Sequence, residues 1–372
     1  MIGVYVHIPF CAHKCIYCDF PSYSGAGQYA DAYVDALCRE IACYDGDSQA
    51  DTVYFGGGTP SLLSAAQFAR IFTQLQQTFS LAADAEITVE ANPDSLTASW
   101  VRELAQIGVN RVSLGIQSFD DGVLRTLGRL HTAAEGRQAV QTVWEQGIEN
   151  ISIDLMYGLP GQTVPIMQRT LAEAAELPVC HASVYRLIVE EHTPLQAAVC
   201  RQRLHLPSDE ETDAMEQAVH AAMKERGFHH YEVSAYAGAG KESRHNCKYW
   251  QYEPYAGFGV SAHSFDGQCR RANMANIPQY IRRAGRQSVT GEEVVIDRKR
   301  AVEDYCFLAL RMRRGIDSQD FCRRFSCSLE DEFGPVLQQL LSQHLLERSP
   351  QGYRLTATGL AYGNYVFSRF IR

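Results

Sequence analysis

The sequence predicts an α/β fold: a partial, parallel (β/α)6 TIM-like barrel followed by a small, mostly helical C-terminal domain. The first observation behind this prediction is that short apolar segments alternate with longer helical segments over the first half of the chain. The second is that polar or glycine residues recur at the ends of five apolar segments. Because parallel barrels build active sites from the C-terminal ends of several strands, this recurrence also predicts one shared site.

Each predicted strand is a short apolar or β-branched run that ends near proline, glycine or a polar residue. The six predicted strands span residues 2–8, 52–55, 86–90, 111–116, 151–156 and 182–187. Helices are predicted at 29–43, 64–79, 132–147 and 163–177, with a further one ending near 108. Ser64 with Gln67, and Thr132 with Glu135, have the spacing of capping boxes, which locates the starts of two helices.

The rest of the chain is less regular. A helix is predicted at 207–227 and a strand at 231–234, and residues 245–263 are rich in Tyr, Gly, His and Trp, as recognition loops often are. Helices return from residue 298, with a hairpin across 349–352 before the last helix. We therefore predict a barrel core at 1–200, a barrel extension at 201–296, and a C-terminal domain with a winged-helix outline at 297–372.

The composition disfavours nucleic-acid-binding, secreted and membrane-spanning proteins. The formal net charge of −9 disfavours broad nucleic-acid binding, since a polyanion would be repelled. No secretory signal and no apolar run of membrane-spanning length is present, so a cytoplasmic protein is expected. Twelve cysteines in such a chain are expected to be reduced, and nine of them are scattered without ligand spacing.

The other three cysteines form a cluster directly after the first predicted strand. Cys11, Cys15 and Cys18 have the spacing C-x3-C-x2-C. Thiolates hold zinc or iron–sulfur clusters, and a structural zinc site normally takes four ligands, so a partial zinc site is one reading. A [4Fe–4S] cluster also has four irons to ligate, and three cysteines would leave one iron open. The spacing resembles the signature of radical S-adenosylmethionine (SAM) proteins, in which the open iron binds the amino and carboxylate groups of SAM.

Candidate SAM-binding residues follow the other strands. Gly57, Gly58 and Thr59 offer exposed backbone beside the cysteines, although glycines after strands are often only turns. Polar side chains that could bind a cationic nucleoside come later, and each could instead cap a helix or lie at the surface. They are Glu90, Gln117, Arg129 and Asp154. Tyr17, between two of the cysteines, could pack on the adenine or shield the cluster.

A second stretch combines a histidine with two aromatic residues. His245 is followed by Tyr249 and Trp250, and His263 lies further along the same aromatic region. Histidine ligates haem iron and aromatic faces can cover a porphyrin. A lone histidine is more often a surface residue or a satisfied core residue, and the residues alone favour that reading.

Taken together, the motifs extend over nearly the whole chain. They are Y-x-H-I-P-F-C-x-x-x-C-x-Y-C-x-F, G-G-G-T-P-S, E-A-N-P-D, G-I-Q-S-F, D-L-M-Y-G-L-P-G-Q-T and H-N-x-x-Y-W. The chain thereby resembles the HemW branch of the oxygen-independent coproporphyrinogen oxidase-like family. The resemblance implies a [4Fe–4S] cluster on the three cysteines, and it adds Tyr5 to the SAM-binding residues. It also implies haem as cargo, with His245, Tyr249 and Trp250 at the haem site.

The resemblance leaves two functions to separate. Coproporphyrinogen dehydrogenases share the barrel but carry C-x3-C-x2-C-x-C, and here Phe20 replaces the fourth cysteine. HemW proteins are similar to this chain at that point, which implies a haem chaperone that delivers haem to apo-haemoproteins such as respiratory enzymes. A homodimer and a peripheral membrane association stay open. The candidate propionate-binding arginines are Arg270, Arg271, Arg311, Arg313 and Arg314.

Overall fold

The computed structural model describes residues 1–372 and has an α/β architecture built on one large sheet. Six parallel strands form its centre and pair in chain order. They are β1 (Ile2–Ile8), β2 (Gln49–Gly57), β3 (Ser80–Ala91), β4 (Arg111–Gln117), β5 (Asn150–Tyr157) and β6 (His181–Arg186). The predicted partial (β/α)6 barrel is confirmed.

Helices connect these strands and cover the outer face of the barrel. They are α1 (Ala30–Ala42), α2 (Ala65–Thr78), α3 (Ala98–Gln106), α4 (Asp121–Leu127), α5 (Ala133–Glu145) and α6 (Val164–Ala175). Both expected capping boxes form, at Ser64 with Gln67 and at Thr132 with Glu135. Short helix α4 was not expected from the sequence, and Arg129 lies just after its C-cap residue, Gly128.

The two faces of the barrel strands differ in polarity. In β1, Val4, Val6 and Ile8 are fully buried in a core of 58 residues shared with the outer helices. The alternate residues, Tyr5 and His7, line an interior cavity instead. Further interior positions of the neighbouring strands are polar yet buried, and these are Thr52, Glu86, Arg111, Ser152 and His181. The barrel interior is therefore a polar site rather than an apolar core.

The chain after β6 extends the sheet on both sides. Helices α7 (Pro194–Cys200) and α8 (Asp209–Glu225) lead to β7 (His229–Glu232) and β8 (Ala235–Ala237). Strand β8 pairs antiparallel with β6, and β7 pairs antiparallel with β8 at the edge of the sheet. Helix α9 (Arg244–Trp250) leads to β9 (Tyr255–Phe258), which pairs parallel with β1. The segment expected to be a recognition loop thus contains a helix and part of the sheet.

Three antiparallel strands and the C-terminal helices complete the chain. β10 (His263–Phe265), β11 (Cys269–Asn273) and β12 (Thr290–Val295) extend the sheet beyond β9, with α10 (Ile277–Arg283) between the last two. The C-terminal region has its own core of 21 buried residues. Its elements are α11 (Arg298–Ala309), β13 (Ile316–Asp317), α12 (Ser318–Phe325), α13 (Leu329–Ser342), β14 (Leu346–Arg348), β15 (Gly352–Leu355), α14 (Ala357–Ala361) and α15 (Gly363–Ser368).

The expected hairpin across residues 349–352 forms between β14 and β15. No helix combines the length and the apolar character that crossing a bilayer requires.

Candidate functional site

The C-terminal ends of the parallel strands surround a cavity of about 360 Å³, which we call the cysteine cavity. All of the sequence-predicted cluster and SAM residues except Tyr5 line it. These are Cys11, Cys15, Tyr17, Cys18, Gly57, Gly58, Thr59, Glu90, Gln117, Arg129 and Asp154. Residues separated by more than 140 positions in the sequence therefore meet at one end of the barrel, as the recurrence of polar strand ends predicted.

The three cysteines are free thiols, each half-buried at the mouth of this cavity. The Thr59 hydroxyl lies 3.6 Å from Cys11 Sγ, and an Arg129 guanidinium nitrogen lies 3.5 Å from Cys15 Sγ. No set of three or more Cys, His, Asp or Glu side chains converges on a single ion. A four-iron cluster attaches each thiolate to a different iron, so it does not need such convergence.

A hydrogen-bonded chain crosses the cavity floor between two of the cysteines. The Asn92 side chain donates to Thr59 Oγ1 at 3.2 Å and accepts from Arg129 at 2.8 Å. Arg129 also donates to the Gly115 carbonyl at 2.6 Å, so its guanidinium is held at the end of β4. Asn92 was not among the site residues predicted from the sequence.

The glycine loop after β2 lies against the cysteine loop. Gly58 N–H donates to the Ile8 carbonyl at 2.8 Å, and Thr59 N–H donates to the Phe10 carbonyl at 2.7 Å. A Cβ at Gly58 would lie 2.6 Å from the Phe10 carbonyl oxygen, so no larger residue can occupy this position without a shift. Gly57 has φ of +113°, a second reason for glycine in this loop.

Two carboxyl groups face the interior of the cavity. Glu90 accepts hydrogen bonds from the Tyr54 hydroxyl at 2.7 Å and from Gly57 N–H at 3.2 Å. Asp154 accepts from the Ser113 hydroxyl at 3.3 Å. Burial raises the pKa of Glu90 to about 7 and the pKa of Asp154 to about 6. Both carboxylates are therefore poised to ionise when a cation binds beside them.

Gln117 ends β4 in a strained conformation. Its φ of +66° is in the left-handed region that residues other than glycine adopt rarely. Such strain is commonly retained at ligand-binding sites. Gln117 also lines the cysteine cavity, so the strained residue belongs to the candidate site.

A second cavity, of about 850 Å³, lies between the barrel interior and the C-terminal region. We call it the aromatic cavity, because six tyrosines, one tryptophan and three phenylalanines line it. Tyr5 lies here rather than in the cysteine cavity, together with His245, Tyr249 and Trp250. Three residues, Phe20, Glu90 and Tyr185, line both cavities, so the two spaces are neighbours.

His245 is buried at the base of the aromatic cavity and its ring is fully hydrogen-bonded. Its Nδ1 lies 2.9 Å from Thr52 Oγ1, and its Nε2 lies 2.7 Å from the Tyr249 hydroxyl. The ring also stacks on Tyr54, with centroids 5.1 Å apart. Burial lowers the pKa of His245 to about 3, so the ring is neutral.

The five candidate arginines are not all near the aromatic cavity. Only Arg270 lines it, and it is paired with Asp304 at 2.9 Å. The Arg311 guanidinium stacks on Trp250, 4.4 Å from the ring centroid. Arg313 and Arg314 line a separate cavity beside α9.

The remaining candidate, Arg271, forms ion pairs with Asp266 and Glu293 in the outer strands of the sheet. Arg270 is therefore the one candidate placed to meet a propionate in the aromatic cavity.

The residues at the cysteine cavity match what a [4Fe–4S] cluster and SAM require. Three thiols supply soft ligands, and the arginine and threonine contacts to sulfur are of the kind that tune a cluster. The glycine loop leaves backbone groups accessible, and two carboxyl groups can neutralise a bound cation.

Comparisons with known proteins identify the family of this chain. Residues 5–174 match the radical SAM superfamily, and residues 296–362 match the HemN C-terminal domain. Heme chaperone HemW of Lactococcus lactis is 37% identical over 99% of this chain and 97% of its own length. The proteins of that name from Bacillus subtilis and Escherichia coli are 37% and 31% identical over 100% of this chain, covering 99% and 98% of their lengths.

A solved structure also matches the whole chain. Coproporphyrinogen III oxidase (HemN) from Escherichia coli, a radical SAM enzyme, matches with a TM-score of 0.86 at 25% identity. The match covers 100% of this chain and 90% of that one. The C-terminal region is therefore shared with HemN, while the full-length similarity in sequence is to HemW. The chain belongs to the HemW family of radical SAM proteins.

Proposed function

We propose that this protein is a haem chaperone that binds haem in the aromatic cavity and carries a SAM-binding [4Fe–4S] cluster in the cysteine cavity. The observation that supports this most strongly is the wall that the two cavities share, formed by Phe20, Glu90 and Tyr185. A ligand in one cavity would then contact the same side chains as a ligand in the other. Delivery of haem to apo-haemoproteins follows as the proposed activity.

Different residues of the cysteine cavity would have different roles. Cys11, Cys15 and Cys18 would hold the cluster, which when bound supplies an open iron for SAM and a low-potential electron. Arg129 would orient the SAM carboxylate or the cluster sulfur, since its guanidinium is fixed by Asn92.

The two carboxyl groups would act on the cationic part of SAM. Glu90 and Asp154 would lose their protons as the cation binds, because ionised carboxylates bind it better than neutral ones. Tyr54 would hold Glu90 in place through its hydroxyl.

The aromatic cavity suits a planar, largely apolar ligand. Its volume of about 850 Å³ is in the range of sites that enclose a large cofactor. Tyrosine and tryptophan faces supply stacking area, and Arg270 supplies one cation for a propionate. This chemistry supports haem as the cargo.

A second candidate is oxygen-independent coproporphyrinogen III dehydrogenase, which converts propionates to vinyl groups. The structural match to HemN favours it. The replacement of the fourth cysteine by Phe20, whose side chain is 57% exposed, favours the chaperone. The two functions predict different outcomes with a porphyrinogen substrate.

One experiment separates them. The protein is reconstituted anaerobically with iron and sulfide, then titrated with haem and, separately, incubated with coproporphyrinogen III, SAM and a reductant. We expect one haem bound per chain, transfer of that haem to an apo-haemoprotein, and no vinyl product. Formation of protoporphyrinogen would replace the chaperone with the enzyme, and failure to bind haem would overturn the proposal.

A further inference from the structure

Three histidines line the aromatic cavity, and they differ in how their nitrogens are used. In His7, Nδ1 lies 3.0 Å from the Tyr5 hydroxyl, and Nε2 lies 3.0 Å from the Pro21 carbonyl. In His245, both nitrogens are likewise engaged, by Thr52 and Tyr249. His263 has no hydrogen bond to either ring nitrogen, and its side chain is exposed at the cavity.

This difference matters because a haem ligand must offer a nitrogen lone pair to the iron. His245 would have to give up a buried hydrogen bond and leave a buried hydroxyl unpaired, which costs about 1–3 kcal/mol. His7 would likewise have to give up its contact with the Tyr5 hydroxyl or with the Pro21 carbonyl. His263 gives up no such bond.

The backbone of His263 is held in place although its ring is free. His263 begins β10, where it pairs with Ala272 of β11. The neighbouring strand β9 passes so close that a Cβ at Gly257 would lie 1.9 Å from the His263 carbonyl oxygen. Ser261, two residues earlier, has φ of +56°. The imidazole is therefore carried on a fixed backbone, although no hydrogen bond fixes its ring.

Other iron ligands are scarce in this cavity. Its lining contains no cysteine, methionine or lysine. Tyrosine ligates haem as the phenolate, and burial raises the pKa of Tyr252 to about 12 and raises the pKa of Tyr255. An imidazole with a free ring nitrogen is thus the ligand that the cavity offers at least cost.

His245 has a different task in this arrangement. Its ring stacks on Tyr54 and meets Tyr249 edge-on with centroids 5.0 Å apart. Its backbone N–H donates to Glu86 at 3.1 Å, which fixes α9 to the barrel. It therefore orders two aromatic walls of the cavity.

We propose that His263 is the side chain that ligates the haem iron, and that His245 is a positioning residue that holds Tyr54 and Tyr249 against the porphyrin. This inference rests on the proposed function. His263, with both ring nitrogens free, would bond to the iron, and His245 would keep its two hydrogen bonds.

The test compares His263→Ala, His245→Ala and His205→Ala in the full-length protein, where His205 is an exposed histidine outside the cavity. Each variant is titrated with ferric haem, and ligation is followed by the Soret band and by resonance Raman spectroscopy. We expect His263→Ala to lose the histidine-ligated spectrum and to bind haem at least about tenfold more weakly. Added imidazole should restore the spectrum, and His205→Ala should match wild type.

His245→Ala should weaken haem binding but keep a histidine-ligated spectrum, which a ligand role for His245 would not allow. Thermal unfolding and iron content confirm that each variant is folded. If wild type binds haem and His263→Ala keeps the same spectrum and affinity, the ligand assignment is wrong although the chaperone proposal survives. If wild type binds no haem, both are overturned.

Discussion

The two cavities of this protein are neighbours, but they are built on opposite principles. The cysteine cavity is formed by side chains at strand ends, and its three thiols and two carboxyl groups have capacity left for a ligand. In the aromatic cavity, the histidines nearest the barrel strands are already paired, as His245 is with Thr52 and Tyr249. On the proposed function, the first would bind through charge and metal ligation, and the second through shape and apolar contact together with one histidine ligand to the iron.

A sequence motif can supply either the atoms that bind a ligand or the scaffold that supports the binding site. The cysteine motif supplies the atoms that would touch the cluster, whereas the H-N-x-x-Y-W motif supplies a scaffold of stacked rings. Mutations should therefore have unlike effects: loss of a ligand in the first cavity, and loss of stability together with binding in the second.

The largest expected effect is at the cysteines. Cys15→Ala should abolish the cluster, because it removes one of the three thiolates and the remaining two cannot hold a four-iron cluster. The iron content and the absorbance near 400 nm of the reconstituted protein provide the measurement. Cys200→Ala, at an exposed cysteine of α7, is the control and should keep a full cluster. A full cluster in Cys15→Ala would contradict the assignment.

The next effect concerns Arg129. Arg129→Ala should weaken SAM binding about 10- to 100-fold, since it removes a charged donor held by Asn92 and Gly115. Isothermal titration of the reconstituted protein measures this. Arg125→Ala, an exposed arginine of the adjoining α4, should bind SAM as wild type does. Equal affinity for the two variants would place SAM elsewhere.

A substitution in the aromatic cavity should lower the stability of the folded protein even when no haem is present. His245→Ala leaves the Thr52 hydroxyl and the Tyr249 hydroxyl unpaired and opens space in a stacked cluster. We expect a loss of about 2–4 kcal/mol in the free energy of unfolding, seen in denaturant or thermal melts without haem. An unchanged melting temperature would mean that this ring is not a structural support.

The smallest effect is a dependence on pH. The raised pKa values of Glu90 and Asp154 mean that both carboxyl groups gain protons as pH falls through about 7 and about 6. SAM affinity should therefore rise between pH 5.5 and pH 7.5 and level off above, and the total rise should be less than about tenfold. Glu90→Gln should remove the upper part of the rise. A flat profile in wild type would show that neither carboxylate contacts the cation.

Sequence patterns predicted the local parts of this structure well. The six barrel strands, both capping boxes and the meeting of the cysteines with Gly57, Glu90 and Asp154 follow from apolar runs and polar strand ends. These features depend on neighbours in sequence or on the general geometry of parallel strands. The division of the chain at residues 200 and 296 stays a prediction.

What the sequence did not predict depends on distant contacts. Strand β9 pairs with β1 although the paired residues are 252 positions apart, as Gly3 and Tyr255 are, and no local pattern indicates that partner. Asn92 becomes a site residue only because Thr59 and Arg129 reach it from other loops. The engagement of both His245 nitrogens likewise needs Thr52 of a different strand.

The claim that haem occupies the aromatic cavity is tested most directly by filling that cavity. Leu308 of α11 lines it, and Leu308→Trp should occupy space that a porphyrin needs while leaving the cysteine cavity untouched. A haem titration of the reconstituted variant should show little stoichiometric binding with normal iron content, whereas Leu206→Trp at an exposed position should bind one haem. Full haem binding by folded Leu308→Trp would contradict the account.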